Sequence, residues 1–385
     1  MKLRYRILGA LSVLIAIGIA SLAIALSHET DCTTPAPAQQ GKSTMLAVMH
    51  RCYGGPEVLT VERVEKPVPS EDQILVKVHA TSVNPLEWHV MTGTPYILRS
   101  SAGFGAPKDP RLGVDVAGVV ESVGKNVTRL KPGDEVFGTV WGAFAEYAVF
   151  PERNAVVIKP ANVSFEEAAT APIAGITALQ ALRDQGRLQA GQSVLINGAS
   201  GGVGTFAVQI AKDMGAQVTG VCSTRNLELV RSLGADHVID YTREDFTRGD
   251  ARYDLIIDNV GNRDILDITR ALKPNGTLVL VGAPKGGRWI KPLWGAIKTK
   301  VVQPFVDQEL KFFVSNATQA DTTLLAELMA SGKVKPVIDR TYTLTEVPDA
   351  MRYLETWRAR GKVVISVSER KLPLDEEKLS LEGSR

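Results

Sequence analysis

The feature that most constrains the fold is a run of small residues between a strand-like and a helix-like stretch, Asn197-Gly198-Ala199-Ser200-Gly201-Gly202-Val203-Gly204. Upstream, Ser193-Val194-Leu195-Ile196-Asn197 is short and mostly apolar; downstream, a helical pattern continues through about Met214. Ala199, Gly201 and Gly204 occupy the three glycine positions of a dinucleotide fingerprint, with alanine in the first. Gly201 would let backbone N–H groups approach a pyrophosphate, and Gly204 would let the helix pack close to the sheet. The helix N-terminus adds positive potential there. A lone glycine pattern also describes an ordinary turn. The strand–turn–helix context and a second strand at the right distance favour a phosphate cradle made of Ala199, Ser200, Gly201, Gly202, Val203 and Gly204.

That second strand, Gln217 to Cys222, ends in Ser223-Thr224-Arg225. A site for NAD usually places Asp or Glu here to accept hydrogen bonds from the ribose. Two hydroxyls and a guanidinium instead suit a 2′-phosphate, so Ser223 and Arg225 favour NADPH over NADH. The alternative for Arg225 is a solvated side chain at a helix start.

Around the cradle the pattern alternates. A helical stretch from Asn226 to Leu233 precedes the strand-like runs His237–Ile239, Leu255–Ile257 and Thr277–Val281. Apolar strands separated by helices imply a parallel sheet covered on both faces. From about Met45 to residue 165 the texture differs, with short β-rich segments such as Ile74–Val78 and Val116–Val120 and turns such as Lys131-Pro132-Gly133-Asp134. At 385 residues two domains are expected. A net charge of +2 gives no electrostatic footprint for nucleic acid.

The N-terminus adds an expectation of its own. Ile7 to Leu26 is an uncharged apolar run of 20 residues preceded by Lys2, Arg4 and Arg6. As a helix it would be about 30 Å long, enough to span a hydrocarbon core. Residues 1–28 are therefore expected to form a single-pass membrane anchor, or alternatively a signal removed on export at Ala23-Ile24-Ala25. The basic flank argues for a cytoplasmic N-terminus and an exported remainder, which suits a cytoplasmic cofactor badly, so the side of the membrane stays open. Residues 29–44, with Thr33 to Gly41 at their heart, read as a linker, and 369–385 as a disordered tail. Cys32, Cys52 and Cys222 are too irregularly spaced for a disulfide framework or a metal knuckle. A Cys32–Cys52 pair remains open, and Cys222 reads as a small core residue.

Taken together, the chain resembles the medium-chain dehydrogenase/reductase superfamily, and within it the zinc-free quinone oxidoreductase branch. The matching stretches are Ser82-Val83-Asn84-Pro85, Gly113 to Val120, Pro132 to Gly138, Ala199 to Gly204, Leu233-Gly234-Ala235-Asp236, Ile239-Asp240-Tyr241 and Gly361-Lys362-Val363-Val364-Ile365. The resemblance implies an α/β protein with a GroES-like catalytic domain from residues 45–165 and again 308–368. A Rossmann domain would occupy 166–307, with the active cleft at the junction. It also implies cofactor contacts from Tyr241 at the adenosine end, Asn259 at the nicotinamide end, and Val281 and Lys362.

Zinc enzymes of this superfamily use ligands at three positions that are here Asn84, Val114 and Ile173. Two aliphatic side chains cannot ligate zinc, so no metal is expected. Without a Lewis acid, hydride transfer should go to an acceptor that is already activated, a quinone or an α,β-unsaturated carbonyl. Alternatives are a metal-free alcohol dehydrogenase or carbonyl reductase, and a non-catalytic dinucleotide-binding or quinone-scaffold protein. Asn84 is the candidate polar group beside nicotinamide and substrate, with a turn-capping Asn as the alternative. His89 falls where some zinc enzymes place a proton relay; Leu86 replaces the hydroxyl such a relay needs, and packing beside Trp88 and Met91 is the competing reading.

Lys285 to Phe305 carries Trp289, Ile290, Leu293, Trp294, Ile297, Val301 and Val302 at roughly helical spacing, with Lys291, Lys298 and Lys300 on other faces. It could lie on a membrane surface near a lipid-soluble quinone. The alternative is a helix that covers the cleft or packs in a homodimer.

Overall fold

The fold is seen in a computed structural model that describes residues 2–34, 41–282, 286–289 and 293–367. The β-rich half contains strands β1 (Thr44–His50), β2 (Leu59–Glu65), β3 (Gln73–Val83), β4 (Asp115–Val123), β5 (Glu135–Thr139), β6 (Tyr147–Pro151) and β7 (Val156–Ile158). β1 and β2 pair as a separate antiparallel hairpin. Alternation decides the rest: in β3, Ile74, Val76 and Val78 face a core with Val116, Val120 and Val136.

The alternating half supplies β8 (Ser193–Asn197), β9 (Gln217–Cys222), β10 (His237–Asp240), β11 (Tyr253–Asp258), β12 (Leu272–Leu280) and β13 (Glu309–Phe312). They form one parallel sheet in the order β10-β9-β8-β11-β12-β13. Val194, Leu195 and Ile196 are wholly buried, as expected of a strand covered on both faces. The chain then returns to the first half: β14 (Ile338–Thr343) and β15 (Lys362–Ser366) complete a seven-stranded sheet, β15 pairing antiparallel with β3. This double crossing brings the C-terminal segment against the glycine turn of the other sheet.

Two features differ from the sequence reading. β13 pairs in parallel with β12, so the parallel sheet runs past residue 307. A four-residue edge strand carrying Glu309 and Lys311 has no continuous apolar run to announce it. The second difference is the membrane anchor. A helix covers Lys2–Ser27, but among the described residues no helix is long and apolar enough to cross a membrane, which overturns the single-pass anchor and the membrane partner.

The end of that helix is instead occupied by protein contacts. Leu26 is buried, and the wholly buried Arg99 donates to the carbonyls of Leu26 and His28 and pairs with Glu29 at 2.9 Å. Arg99 is also stacked between Tyr53 and Tyr96. Cys32 and Cys52 are joined in a disulfide. Of the expected linker, residues 35–40 lie outside the described residues, as do 369–385 of the expected tail.

In the basic aromatic segment, Lys285, Ile290 and Lys291 lie outside the described residues. The described part touches protein at a few points, while Trp289, Leu293, Trp294, Ile297, Val301 and Phe305 stay exposed. Trp289 meets Tyr96 edge to face, a helix runs over Trp294–Val302, and Lys298 pairs with Asp264.

Candidate active site

A cleft of about 420 Å³ lies between the two sheets. On one wall the turn after β8 leads into the helix Gly202–Asp213, whose first backbone N–H groups have no intrahelical partner. Gly204 is dictated by packing, because a Cβ there would stand 2.1 Å from the Gly198 carbonyl. Gly201 differs: a Cβ there would meet only that same carbonyl, at 3.5 Å, so the space beside it is open. Ser200, Gly201, Gly202, Val203 and Gly204 line the cleft, whereas Ala199 lies buried beneath it, its N–H bonded to the Val221 carbonyl.

Ser223, Arg225, Tyr241, Asn259 and Lys362 also line this cleft, bringing together most of the candidates read from the sequence. Val281 does not line it; its N–H donates to the Asp258 carbonyl. Asp258 was not foreseen. Its Oδ1 accepts from Asn197 Nδ2 at 2.8 Å and from the N–H groups of Val260 and Gly261, which shapes the loop carrying Asn259. Asn259 Nδ2 is spent on the Asn197 carbonyl, while its Oδ1 is buried with no partner. Asn226, a second cleft residue, donates to Ser200 Oγ and likewise leaves Oδ1 unpaired. Unpaired buried acceptors are costly and demand an explanation; two of them in one cleft fit a ligand that brings its own donors. With the glycine cradle, they make the cleft a good fit for a nicotinamide dinucleotide.

The opposite wall holds a buried charged set. Asn84, at the end of β3, lines the cleft with Lys362 from β15. Lys362 Nζ donates to Asn84 Oδ1, to the Val83 carbonyl at 3.3 Å and to Asp115 Oδ2 at 3.3 Å. Asn84 Nδ2 donates to the same Asp115 oxygen at 2.9 Å. Glu87 caps the helix Pro85–Thr92 by accepting the Asn84 N–H, and its other oxygen accepts from Val114 N. Burial, and then the nearby charge of Asp115, pushes the Glu87 carboxyl up to about 7. The three positions weighed above as metal-ligand positions border this set: Val114 N donates to Glu87, and Ile173 N and Asn84 Nδ2 donate to Asp115.

Asp115 and Glu87 were not singled out from the sequence as site residues. Glu87 was findable, since Asn84-Pro85-Leu86-Glu87 has the spacing of a capping box. Asp115 carried no local signal beyond its place in Gly113 to Gly118. His89 does not line the cleft; its Nδ1 is within 2.7 Å of the Thr94 carbonyl, and burial holds it below the ordinary histidine range. Cys222 is a core residue whose thiol burial pushes up to about 11. Among the described residues no group of three or more His, Cys, Asp or Glu side chains is placed to hold a metal.

Comparison with known proteins agrees with this geometry. Residues 70–160 match the family described as "Alcohol dehydrogenase GroES-like domain", and residues 233–365 match "Zinc-binding dehydrogenase". The chain is 35% identical over 359 residues to the 2-methylene-furan-3-one reductase of Solanum lycopersicum, covering 89% of this chain and 82% of that protein. It is also 35% identical over 342 residues to the chloroplastic NADPH-dependent alkenal/one oxidoreductase of Arabidopsis thaliana, covering 83% and 79%. Among solved structures it resembles the quinone oxidoreductase from Coxiella burnetii, with a TM-score of 0.74 and 30% identity, covering 84% of this chain and all of that one.

Proposed function

Because the chain belongs to the medium-chain dehydrogenase/reductase superfamily, in its quinone oxidoreductase-like branch, we propose that it is a zinc-independent enzyme that uses NADPH to reduce a quinone or an α,β-unsaturated carbonyl. When bound, the reduced nicotinamide supplies the hydride. The remaining work falls to the chain's own residues.

The observation that carries this reading is the buried set facing the glycine turn. All three Lys362 N–H groups are taken up by Asn84, Val83 and Asp115. Both Asn84 amide hydrogens have internal acceptors too, Asp115 at 2.9 Å and, more weakly, Ser82 O or Glu87 Oε1 at 3.4 Å. The set is a rigid, charge-balanced floor with no donor to spare for an isolated carbonyl. That favours an acceptor whose own conjugation makes it electrophilic, and it disfavours reduction of simple aldehydes or ketones. Asn84 and Lys362 orient the reactants, and orientation is itself a large part of the barrier reduction in such reactions.

Independence from zinc rests on the donor set. Val114 and Ile173 offer only aliphatic side chains, and the Lys362 ammonium places a fixed cation where a metal charge would otherwise act. The preference for NADPH rests on the end of β9, where Ser223 and Arg225 line the cleft. Tyr241 borders the same end of the cleft, and Asn259 borders the nicotinamide end. His89 supports the helix-to-loop junction through Thr94 rather than relaying a proton.

The test is NADPH oxidation by the purified full chain with a quinone, an enone and an aldehyde as separate acceptors. Turnover with the quinone or the enone and little with the aldehyde is expected. A preferred aldehyde would make it a metal-free carbonyl reductase. Tight NADPH binding without turnover on any acceptor would make it a scaffold.

A further inference from the structure

We propose that Arg358, carried by the turn that leads back into β15, is a second cation of the 2′-phosphate site, so that NADPH is gripped by both halves of the molecule at once. This rests on the NADPH reading above and deepens it.

The turn crosses directly over the cofactor cleft. Trp357, Arg358 and Ala359 line the cleft together with Ser223 and Arg225. Arg225 Nη2 donates to the Arg358 carbonyl, so the Arg225 guanidinium reaches across the junction to the root of the Arg358 side chain. Next to them the Gly361 N–H donates to the Ser200 carbonyl at 2.9 Å, and Gly361 bridges Gly201 in a parallel register. The turn is held in an unusual shape. Trp357 has φ +55°, a conformation that bulky residues rarely adopt. Gly361 has φ +84° and stands so close to the Val337 carbonyl that a Cβ would lie 2.3 Å from it. Backbone of this kind tends to persist where function requires it.

Among the described residues neither Arg225 nor Arg358 is ion-paired. The Arg358 side chain is exposed and makes no hydrogen bond or ion pair among the described residues. Asp240 is held by the hydroxyls of Thr224 and Thr242. Glu355 lines the cleft but accepts from Trp88 Nε1 at 2.8 Å. Two guanidinium groups thus share one end of the cleft, and a phosphate monoester of charge about −1.5 to −2 is the ligand that matches them. Arginine forks suit its oxygens bidentately. An unphosphorylated dinucleotide would engage the glycine turn alone and leave Arg358 idle.

The experiment is calorimetric titration of the full chain and its R225A, R358A and R358K variants with NADP+ and with NAD+. It is paired with hydrogen exchange over residues 356–361. R358A should bind NADP+ about tenfold more weakly and NAD+ within about twofold of the parent, with R358K recovering part of the loss. NADP+, more than NAD+, should slow exchange in the 356–361 turn. If R225A loses NADP+ affinity while R358A does not, or if R358A weakens both dinucleotides alike, the role of Arg358 is overturned and the NADPH reading stands. If the parent binds NAD+ as tightly as NADP+ and neither arginine matters, the NADPH reading itself fails and the proposal with it.

Discussion

The two walls of the cleft are built in opposite ways. The phosphate cradle is local: residues 198–204 follow one another, and each backbone demand is met by a glycine or alanine in place. The wall facing it is assembled from afar. Asn84 meets Asp115 across 31 residues and Lys362 across 278, and Lys362 meets Asp115 across 247. A local motif announces itself as a pattern. A set drawn from three segments does so only in part: Asn84 and Lys362 were reachable through the family resemblance, whereas Asp115 alone looks like an ordinary strand aspartate. On the proposed function the cradle would set affinity for the cofactor, and the distant set would fix the geometry in which the acceptor meets it.

The largest effect is expected within the cradle itself. Gly204→Val should abolish dinucleotide binding, and by forcing the helix off the sheet it should lower stability by several kcal/mol, on the order of a severe overpacking change. Gly201→Ala, with open space at its Cβ, should leave the melting temperature nearly unchanged while weakening NADP+ by about tenfold or more. Thermal melts with parallel cofactor titration separate the two. Equal loss of stability in both variants would show that the cradle is structural only.

On the opposite wall, Lys362→Met should cost about 3 kcal/mol in urea denaturation, because it leaves Asp115 buried without its cation. The same variant should lower kcat more than it raises the KM for NADPH. A loss confined to KM would place Lys362 in the cradle and not in the positioning set.

A smaller effect follows from Glu87, whose carboxyl is raised from its ordinary value to about 7. A raised carboxyl binds its proton more tightly folded than unfolded. The stability it contributes is present below the ordinary glutamate range and is lost as pH rises toward 7. Unfolding free energy should therefore carry a downward slope between about pH 4.5 and 7, worth up to about 3 kcal/mol, that Glu87→Gln removes. An identical pH profile in the variant would show that Glu87 does not titrate in this window.

The smallest change is expected at His89. With its ring bonded to Thr94 and set apart from the cleft, His89→Ala should alter kcat by less than about threefold, against the ~100-fold or more expected from loss of a proton relay.

Legibility followed the same division. The strands Ser193–Asn197 and Gln217–Cys222 stand in the structure where periodicity places them, because buried parallel strands are nearly continuous apolar runs. Ser223 and Arg225, which line the cleft, were legible from their place after the second strand, and Tyr241 and Asn259 through the family resemblance. Glu309–Phe312 was not, since a short edge strand alternates polar and apolar residues and resembles a loop. The apolar run at Ile7 to Leu26 misled in another way. Hydropathy reports what a segment could do in lipid, and it is blind to the Arg99 clamp and the Cys32–Cys52 link that fasten the segment's end to the protein.

On the proposed function a fixed ammonium and a closed hydrogen-bond set replace a metal in an NADPH-dependent reduction. This is tested most directly by measuring quinone-dependent NADPH oxidation in one sample of the purified full chain before and after exhaustive chelation, with bound zinc determined at each stage. An unchanged rate is expected, with bound zinc far below one per chain throughout. Loss of turnover on chelation, restored by stoichiometric zinc, would contradict it.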